Sequence, residues 1–501
     1  MKLQRVLIFS SVIFVLAVSA QAEKMENSQV DMTDAMKESI VYLETSFYGY
    51  EQFQPWRNKE LARNWAIGCA ISKNEVLTTA WNVANLAFIR ARAYGQNEFI
   101  PAKIKLVDYE SNLAIITLDA NAMSRTLKPL KFSEKYSKGD QVSFYWLSAG
   151  GHLYSGRGFL DRAQVYRSNI SYAKGLNFVV ANASDRTGIG QVYFSGKDAI
   201  GIACWSEEKE NGIIPGEVIN RFLEHAEKDN YKGFGARGFS TSELLDPAMR
   251  DYLKMPGELT YGVYVSDVFT IGTGSDCLNR GDVILSMDGK QLNPYGRFMH
   301  EKYGRLYFDH LITSRGIGEK IEMTIWRDAA TQRIEAEIKN FDVAEMLVPY
   351  YEFDAQPEYI VLGGFIFQKL TRQYMAELGS GWVGKISPHI YHYFRDMAFK
   401  PGDERKSIIV LSYVLPADIN LGYGKIGQLV VDNINGMKIS AMKDIPEALK
   451  LNPEAKYDVI EFEMDNPKVV IDRTKLAEAD AIIAENYGIT KLSNINDRPV
   501  K

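Results

Sequence analysis

Cysteine is scarce in this chain: Cys69, Cys204 and Cys277 are the only three in 501 residues. An odd number with no tight spacing excludes a disulfide framework and points to small buried residues. Histidine is nearly as rare, with six residues and none before His152. A catalytic cysteine would therefore lack a nearby activating imidazole. Beyond the N-terminus no stretch reaches the roughly 20 apolar residues that a membrane span needs. A strong excess of one charge is missing too: 58 Lys and Arg stand against 63 Asp and Glu, a net charge of −5. The basic residues are interspersed with acids and form no stripe, which excludes nucleic acid as the main partner.

What is present is the composition of an ordinary folded protein long enough for about three domains. Met1 to Ala22 carries Lys2 and Arg5, an apolar run from Val6 to Val18, and the small-x-small site Ala20-Gln21-Ala22. This is the pattern of a secretory signal peptide cleaved after Ala22, which leaves no transmembrane anchor and implies export. From Ser39 to about Ile202 short β-rich runs alternate with Gly, Asn, Asp and Ser turns, and no long amphipathic helix intervenes. Pro215 to Glu227 has the pattern of a closing helix, and Asp229 to Arg237, with Gly233 and Gly235, that of a linker.

Three segments organise the first half of the chain. Gly68 to Ala84 reads as two strands and a short turn, ending Leu77-Thr78-Thr79-Ala80-Trp81-Asn82-Val83. Asn112-Leu113-Ala114-Ile115-Ile116-Thr117-Leu118 is a third strand, and Arg186-Thr187-Gly188-Ile189-Gly190-Gln191-Val192 a tight turn. Together they resemble the catalytic segments of the HtrA/Deg (protease Do-like) serine proteases, which place His, Asp and Ser in those three positions. The resemblance implies a trypsin-like double β-barrel of two six-stranded barrels over residues 23–228. Here the three positions hold Trp81, Asn112 and Gly188, so no catalytic triad is expected. Trp81 is expected to fill the cleft with a buried ring.

Leu278-Asn279-Arg280-Gly281-Asp282-Val283-Ile284-Leu285-Ser286-Met287-Asp288-Gly289-Lys290 is similar to the PDZ motif, with Gly281 and Gly289 permitting tight turns. A first PDZ domain is expected over 234–340, with a helix from Arg305 to Ser314 and strands from Lys320 to Arg327 and Gln332 to Ile338. The resemblance places its peptide-binding strand at Tyr261, Gly262, Val263, Tyr264 and Val265. Asp282 and Asp288 are expected to serve the turns. After a connecting segment at 341–358, residues 359–492 resemble the divergent second PDZ domain of the Deg subgroup, with 493–501 as a tail. The expected fold class is therefore mainly β, a double barrel followed by two α+β PDZ domains.

His389 and His392 are spaced for one helical face but lack an acidic or cysteine partner, so no metal is expected. Gly150, Gly151, Gly156 and Gly158 do not form a strand-to-helix phosphate loop, and no cofactor is implied. The reading reached from sequence is an exported, periplasmic pseudoprotease that binds peptides or unfolded protein C-termini in envelope quality control. It would assemble with itself or with active Deg proteases. The alternatives are a serine-type endopeptidase with an unorthodox site and a structural subunit of mixed oligomers.

Overall fold

A computed structural model describes residues 33–57, 61–182, 188–228, 230–402, 404–464 and 466–495. Residues 1–22, the expected signal peptide, and the residues Ser184 and Arg186 lie outside these. After a short helix, Asp34–Ser39, six strands close a barrel: β1 (Ile40–Phe47), β2 (Ala62–Ala70), β3 (Glu75–Thr78), β4 (Leu86–Ala93), β5 (Ile100–Asp108) and β6 (Leu113–Leu118). The order around it is β1-β2-β3-β6-β5-β4. Its interior is filled by small and β-branched residues such as Val41, Ala70, Val76, Ile89 and Ile116, which suit the crowded inside of a six-stranded closure. Gly68 lets β2 approach β3, because a Cβ there would stand 2.7 Å from the Leu77 carbonyl oxygen.

A second barrel follows with the order β10-β11-β12-β9-β8-β7. Its strands are β7 (Gln141–Leu147), β8 (Leu153–Arg167), β9 (Lys174–Asn182), β10 (Val192–Ser195), β11 (Asp198–Glu207) and β12 (Glu210–Pro215). Larger rings occupy this interior, among them Phe144, Phe178 and Tyr193. Ile67, Cys69, Leu77 and Ile115 of the first barrel pack against Tyr145, Leu147, Val192 and Ile202 of the second. The helix Gly216–Ala226 seals this seam with Ile219 and Phe222, both fully buried. Cys69 lies in the seam, and burial pushes its thiol up to about 12.

The first PDZ-type sheet runs β13-β14-β15-β19-β20, from β13 (Phe239–Ser242), β14 (Val263–Val268), β15 (Val283–Met287), the short β16 (Lys290–Gln291) beside it, β19 (Lys320–Arg327) and β20 (Ala330–Glu337). Two sequence expectations are corrected here. The expected helix from Arg305 is a hairpin, β17 (Arg297–His300) with β18 (Gly304–Tyr307), and the helix is confined to Asp309–Thr313. Gly296 and Gly304, at φ +72° and +71°, turn the chain into and within that hairpin. The expected peptide-binding strand, Tyr261 to Val265, is bonded on both sides: β14 pairs with β13 through Thr241↔Val265 and with β15 through Val263↔Ile284. An interior strand has no edge to offer a guest peptide. The free edge on that side of the sheet is β13.

The glycine-flanked aspartates hold turns. Asp282, almost fully buried, accepts from Arg327 Nε at 2.7 Å and Nη2 at 2.6 Å, and from the Asn279 amide at 2.7 Å. Asp288, at φ +46°, accepts from Arg315 and from the Glu322 amide.

Eight strands form the last sheet: β21 (Tyr359–Leu362), β22 (Phe365–Lys369), β23 (Ile409–Val414), β24 (Leu429–Ile434), β25 (Met437–Lys438), β26 (Tyr457–Phe462), β27 (Val469–Asp472) and β28 (Ser493–Asn494). Ahead of it, Leu347 and Val348 of the connecting segment are buried with Leu370, Tyr374 and Ile390. The following residues, 350–354, return to the first barrel.

Candidate functional site

The turn after β3 is a single 3-10 turn, Ala80–Val83. It is pinned by one residue across the barrel. Asn112 sits at φ +57°, a conformation that asparagine tolerates. Its carbonyl accepts from the Ala80 amide at 3.2 Å, and its side-chain oxygen accepts from the Trp81 amide at 3.0 Å. The amide thus does the positioning work of a carboxylate without supplying charge.

Trp81 is not the buried filler expected from sequence. It is 45% exposed and stands at the rim, because the turn aims it outward at the returning segment. There it meets Phe353 edge to face, with ring centroids 6.5 Å apart and planes at 81°. Phe353 is stacked between Tyr109 at 4.2 Å and Tyr351 at 5.1 Å. Asp354 fastens the segment: it accepts from Tyr109 Oη at 2.6 Å and from the Asn85 amide at 2.8 Å, while its own amide donates to Asn85 Oδ1 at 2.7 Å.

From the second barrel, Gly188 and Gly190 approach the same place. A Cβ on Gly188 would meet nothing nearer than Gln191 Nε2 at 3.6 Å, so the position has room for a side chain. Gly190 has none. It adopts φ +87°, and a Cβ would run into the Ile67 carbonyl oxygen and lie 3.0 Å from Asn82 Nδ2. Asn82 donates in turn to Thr78 Oγ1 at 3.1 Å, so the two barrels' turns interlock. Trp81, Asn112 and Ile189 all line one cavity of about 800 Å³, which continues between the helix Gly216–Ala226 and the first PDZ domain.

Comparison with known proteins accords with this architecture. A PDZ domain family model matches residues 348–494, beginning within the segment expected to connect the two PDZ domains. Protease Do-like 4, mitochondrial, of Arabidopsis thaliana is 25% identical over 94% of this chain and 87% of its own length. Protease Do-like 2, chloroplastic, of the same plant is 26% identical over 87% of this chain and 71% of its own. Over nearly its whole length the chain is similar to the HtrA/Deg-type Do-like proteases. Among solved structures, an HtrA-type protease AlgW with decapeptide superposes with a TM-score of 0.46 at 16% identity, covering 61% of this chain and 96% of that one.

Burial moves several titratable groups around this cavity toward their neutral forms. Cys204 donates its thiol to Asn177 Oδ1 at 3.2 Å, and burial pushes the thiol up to about 12, so it is no nucleophile. Burial lowers His310 to about 4 and lowers His225 as well. Their rings face aromatic neighbours: His225 lies 6.5 Å from Phe234, and His310 lies 5.4 Å from His300. Burial, then the charges of Asp108 and Asp342, raises Glu110 well above the carboxylate range. Burial also raises Glu217, which accepts from Tyr303 and from Tyr136 Oη at 3.5 Å.

Among the described residues, no group of three or more His, Cys, Asp or Glu side chains is placed to hold a metal ion. His389 and His392 each face a separate carboxylate, Glu463 and Asp396, both at 2.9 Å. No helix among the described residues is long and apolar enough to cross a membrane. Sequence reasoning missed Phe353 and Asp354 as parts of the site. The only available signal was the cluster Tyr350-Tyr351-Glu352-Phe353 in a segment otherwise read as a connector.

Proposed function

We propose that this Do-like chain is an exported pseudoprotease that captures extended peptides or unfolded protein ends and acts in protein quality control of the cell envelope. One observation supports the reading: Trp81, Asn112 and Gly188, which the resemblance puts in the triad positions, approach one place and bring no imidazole, carboxylate or hydroxyl to it. The Asn112 to Trp81 amide bond keeps the turn in place, an indole stands in the position of the base, and Gly188 carries no hydroxyl. The Phe353 segment lies over the rim where a substrate would enter.

Peptide capture is assigned to the edge of β13, Phe239 to Ser242, which adjoins the helix Asp309–Thr313 through the stacked pair Phe239 and Phe308 at 5.8 Å. Strand addition supplies main-chain hydrogen bonds, and the space beside the helix supplies choice of side chain. Assembly with itself or with active Do-like proteases belongs to the same reading.

Two measurements test it. Purified protein should take no label from a fluorophosphonate probe and should leave fluorogenic casein intact; stoichiometric labelling of any serine overturns the reading. A random C-terminal peptide library applied to the full chain should yield binders, and a library without any removes the peptide-capture part.

A further inference from the structure

A second cavity, of about 850 Å³, opens where the second barrel meets the β17–β18 hairpin. One wall is β8 from Leu160 to Arg167. The other is β18, with Arg297 of β17 and Lys302 of the hairpin tip. Its lining carries seven basic side chains, Lys138, Arg162, Arg167, Lys174, Arg297, Lys302 and Arg305, and no carboxylate. A chain with a net charge of −5 does not gather seven cations in one groove through general basicity.

Three of the seven are already engaged. Arg162 grips Glu210 with two bonds of 3.0 Å, Lys174 lies 3.7 Å from Asp309, and Lys302 donates to the Glu134 carbonyl while sitting 4.0 Å over the Tyr136 ring. Among the described residues, Lys138, Arg167, Arg297 and Arg305 have no carboxylate within ion-pair distance; Arg167 lies 5.9 Å from the Tyr172 ring. Unneutralised cations on both walls of a groove focus a positive potential into it.

The groove also offers a backbone. β18 pairs only with β17, and all four of its residues line the cavity. In an antiparallel pair, alternate residues aim their amide and carbonyl away from the partner, which leaves an edge that an extended chain can join. Arginine forks match carboxylates in two-point contact. Single-stranded nucleic acid fits less well, because it needs open aromatic faces. Tyr136 and Tyr303 are stacked on each other at 6.5 Å and covered by Lys302.

We propose that this groove binds acidic, extended peptide segments, which add to the free edge of β18 and set their carboxylates against Arg167, Arg297 and Arg305. The site is separate from the β13 edge and does not need a free peptide C-terminus.

The test uses the full chain and a fluorescein-labelled octaglutamate peptide with an amidated C-terminus, followed by anisotropy at about 50 mM salt. Saturable binding is expected, with no binding of octaglutamine and loss of the signal at about 500 mM salt. The pair R297E/R305E should bind about tenfold more weakly, and so should K138E/R167E on the opposite wall, both with unchanged melting temperature. The proposal falls if neither pair weakens binding, if octaglutamine binds equally, if dodecathymidylate binds more tightly than the peptide, or if octaglutamate does not bind. A hydrophobic peptide with a free C-terminus, assayed in parallel, reports on the β13 edge alone, so failure of either site is read without the other.

Discussion

The two cavities are of similar size, about 800 and 850 Å³, and of opposite character. The cleft between the barrels is lined by six glutamates against Lys174 and Arg221, and a tied segment of the chain lies across its rim. Burial raises Glu110 and Glu217, so this space disfavours charge. The groove beside the hairpin is lined by arginines and lysines, exposed except for the half-buried Lys174, and by no carboxylate. The difference separates two kinds of space: one between the barrels where burial works against charge, and one beside the hairpin where basic side chains gather with no carboxylate in the lining.

The largest effect that could break this contrast is catalysis in the cleft. Restoring the triad with Trp81→His, Asn112→Asp and Gly188→Ser should leave casein cleavage at background. The serine has room, and an aspartate at 112 would keep the bond to the residue 81 amide. Three side chains do not make an oxyanion site, however, and one backbone donor aimed at the oxyanion is worth about 100- to 1,000-fold in rate. By the resemblance, glycine is expected at the positions of Arg186 and Ile189 in this turn, so introducing glycine at both is the further change expected to matter. Inhibitor-sensitive cleavage by the triple variant alone would make the cleft a dormant enzyme.

Next comes the interlock of the two turns. Gly190→Ala should destabilise by about 3–4 kcal/mol, from positive φ and collision with the Ile67 carbonyl. Gly188→Ala, two residues away, should cost under about 1 kcal/mol, since only Gln191 is near. Thermal unfolding of both variants checks the pair; equal losses would mean that the two glycines do the same work.

A pH series probes the buried side of the cleft. His310 faces His300, Tyr303 and Arg221, and burial lowers its pKa from 6.5 to about 4. Above about pH 6.5 it is neutral folded and unfolded alike, and its contribution is complete. As pH falls from about 6.5 to about 4 the unfolded chain takes up the proton first, so stability declines by up to about 3 kcal/mol. Against His310→Gln, the wild type should lose its relative advantage in that window. A constant difference between the two across it would show that His310 is solvated.

The barrels were legible in sequence because strand alternation and turn residues repeat through them, as in β3 to β6. The expectation that Trp81, Asn112 and Gly188 occupy the triad positions rests on flanking runs such as Leu77-Thr78-Thr79-Ala80 and Leu113-Ala114-Ile115, and the bond from the Trp81 amide to Asn112 brings two of the three together. What failed depended on partners far along the chain. Trp81, aimed outward by its turn, meets Phe353 from far along the chain, and nothing near residue 81 announces that partner. Arg305-Leu306-Tyr307-Phe308-Asp309-His310-Leu311-Ile312 fits both a strand and a helix, and pairing with β17 resolves its first half as strand. Tyr261 to Val265 has the composition of a strand, but whether a strand is interior or edge is a property of the sheet. The basic groove draws its seven cations from strands and loops of two domains and has no local motif at all.

The smallest effect expected is the most direct test of the covered rim. Phe353→Ala removes the ring that Tyr109 and Tyr351 stack on and that Trp81 meets edge to face. Aromatic pairs contribute about 0.5–1.5 kcal/mol beyond their buried area, and the half-buried ring adds only part of a full burial term, so the total cost should be about 1–2 kcal/mol. Asp354 would still hold the backbone through Asn85, so the segment should stay in place with a hole in it. Trp81 would then be more open to acrylamide, read as the difference between Phe353→Ala alone and Phe353→Ala combined with Trp81→Phe, which subtracts the other six tryptophans of the seven in the chain. Octaglutamate binding at the hairpin groove should not change, because none of these aromatic residues lines it. Equal quenching of Trp81 with and without Phe353 would mean that the ring does not shield the cleft, and the contrast between a covered cleft and an open groove would then rest on charge alone.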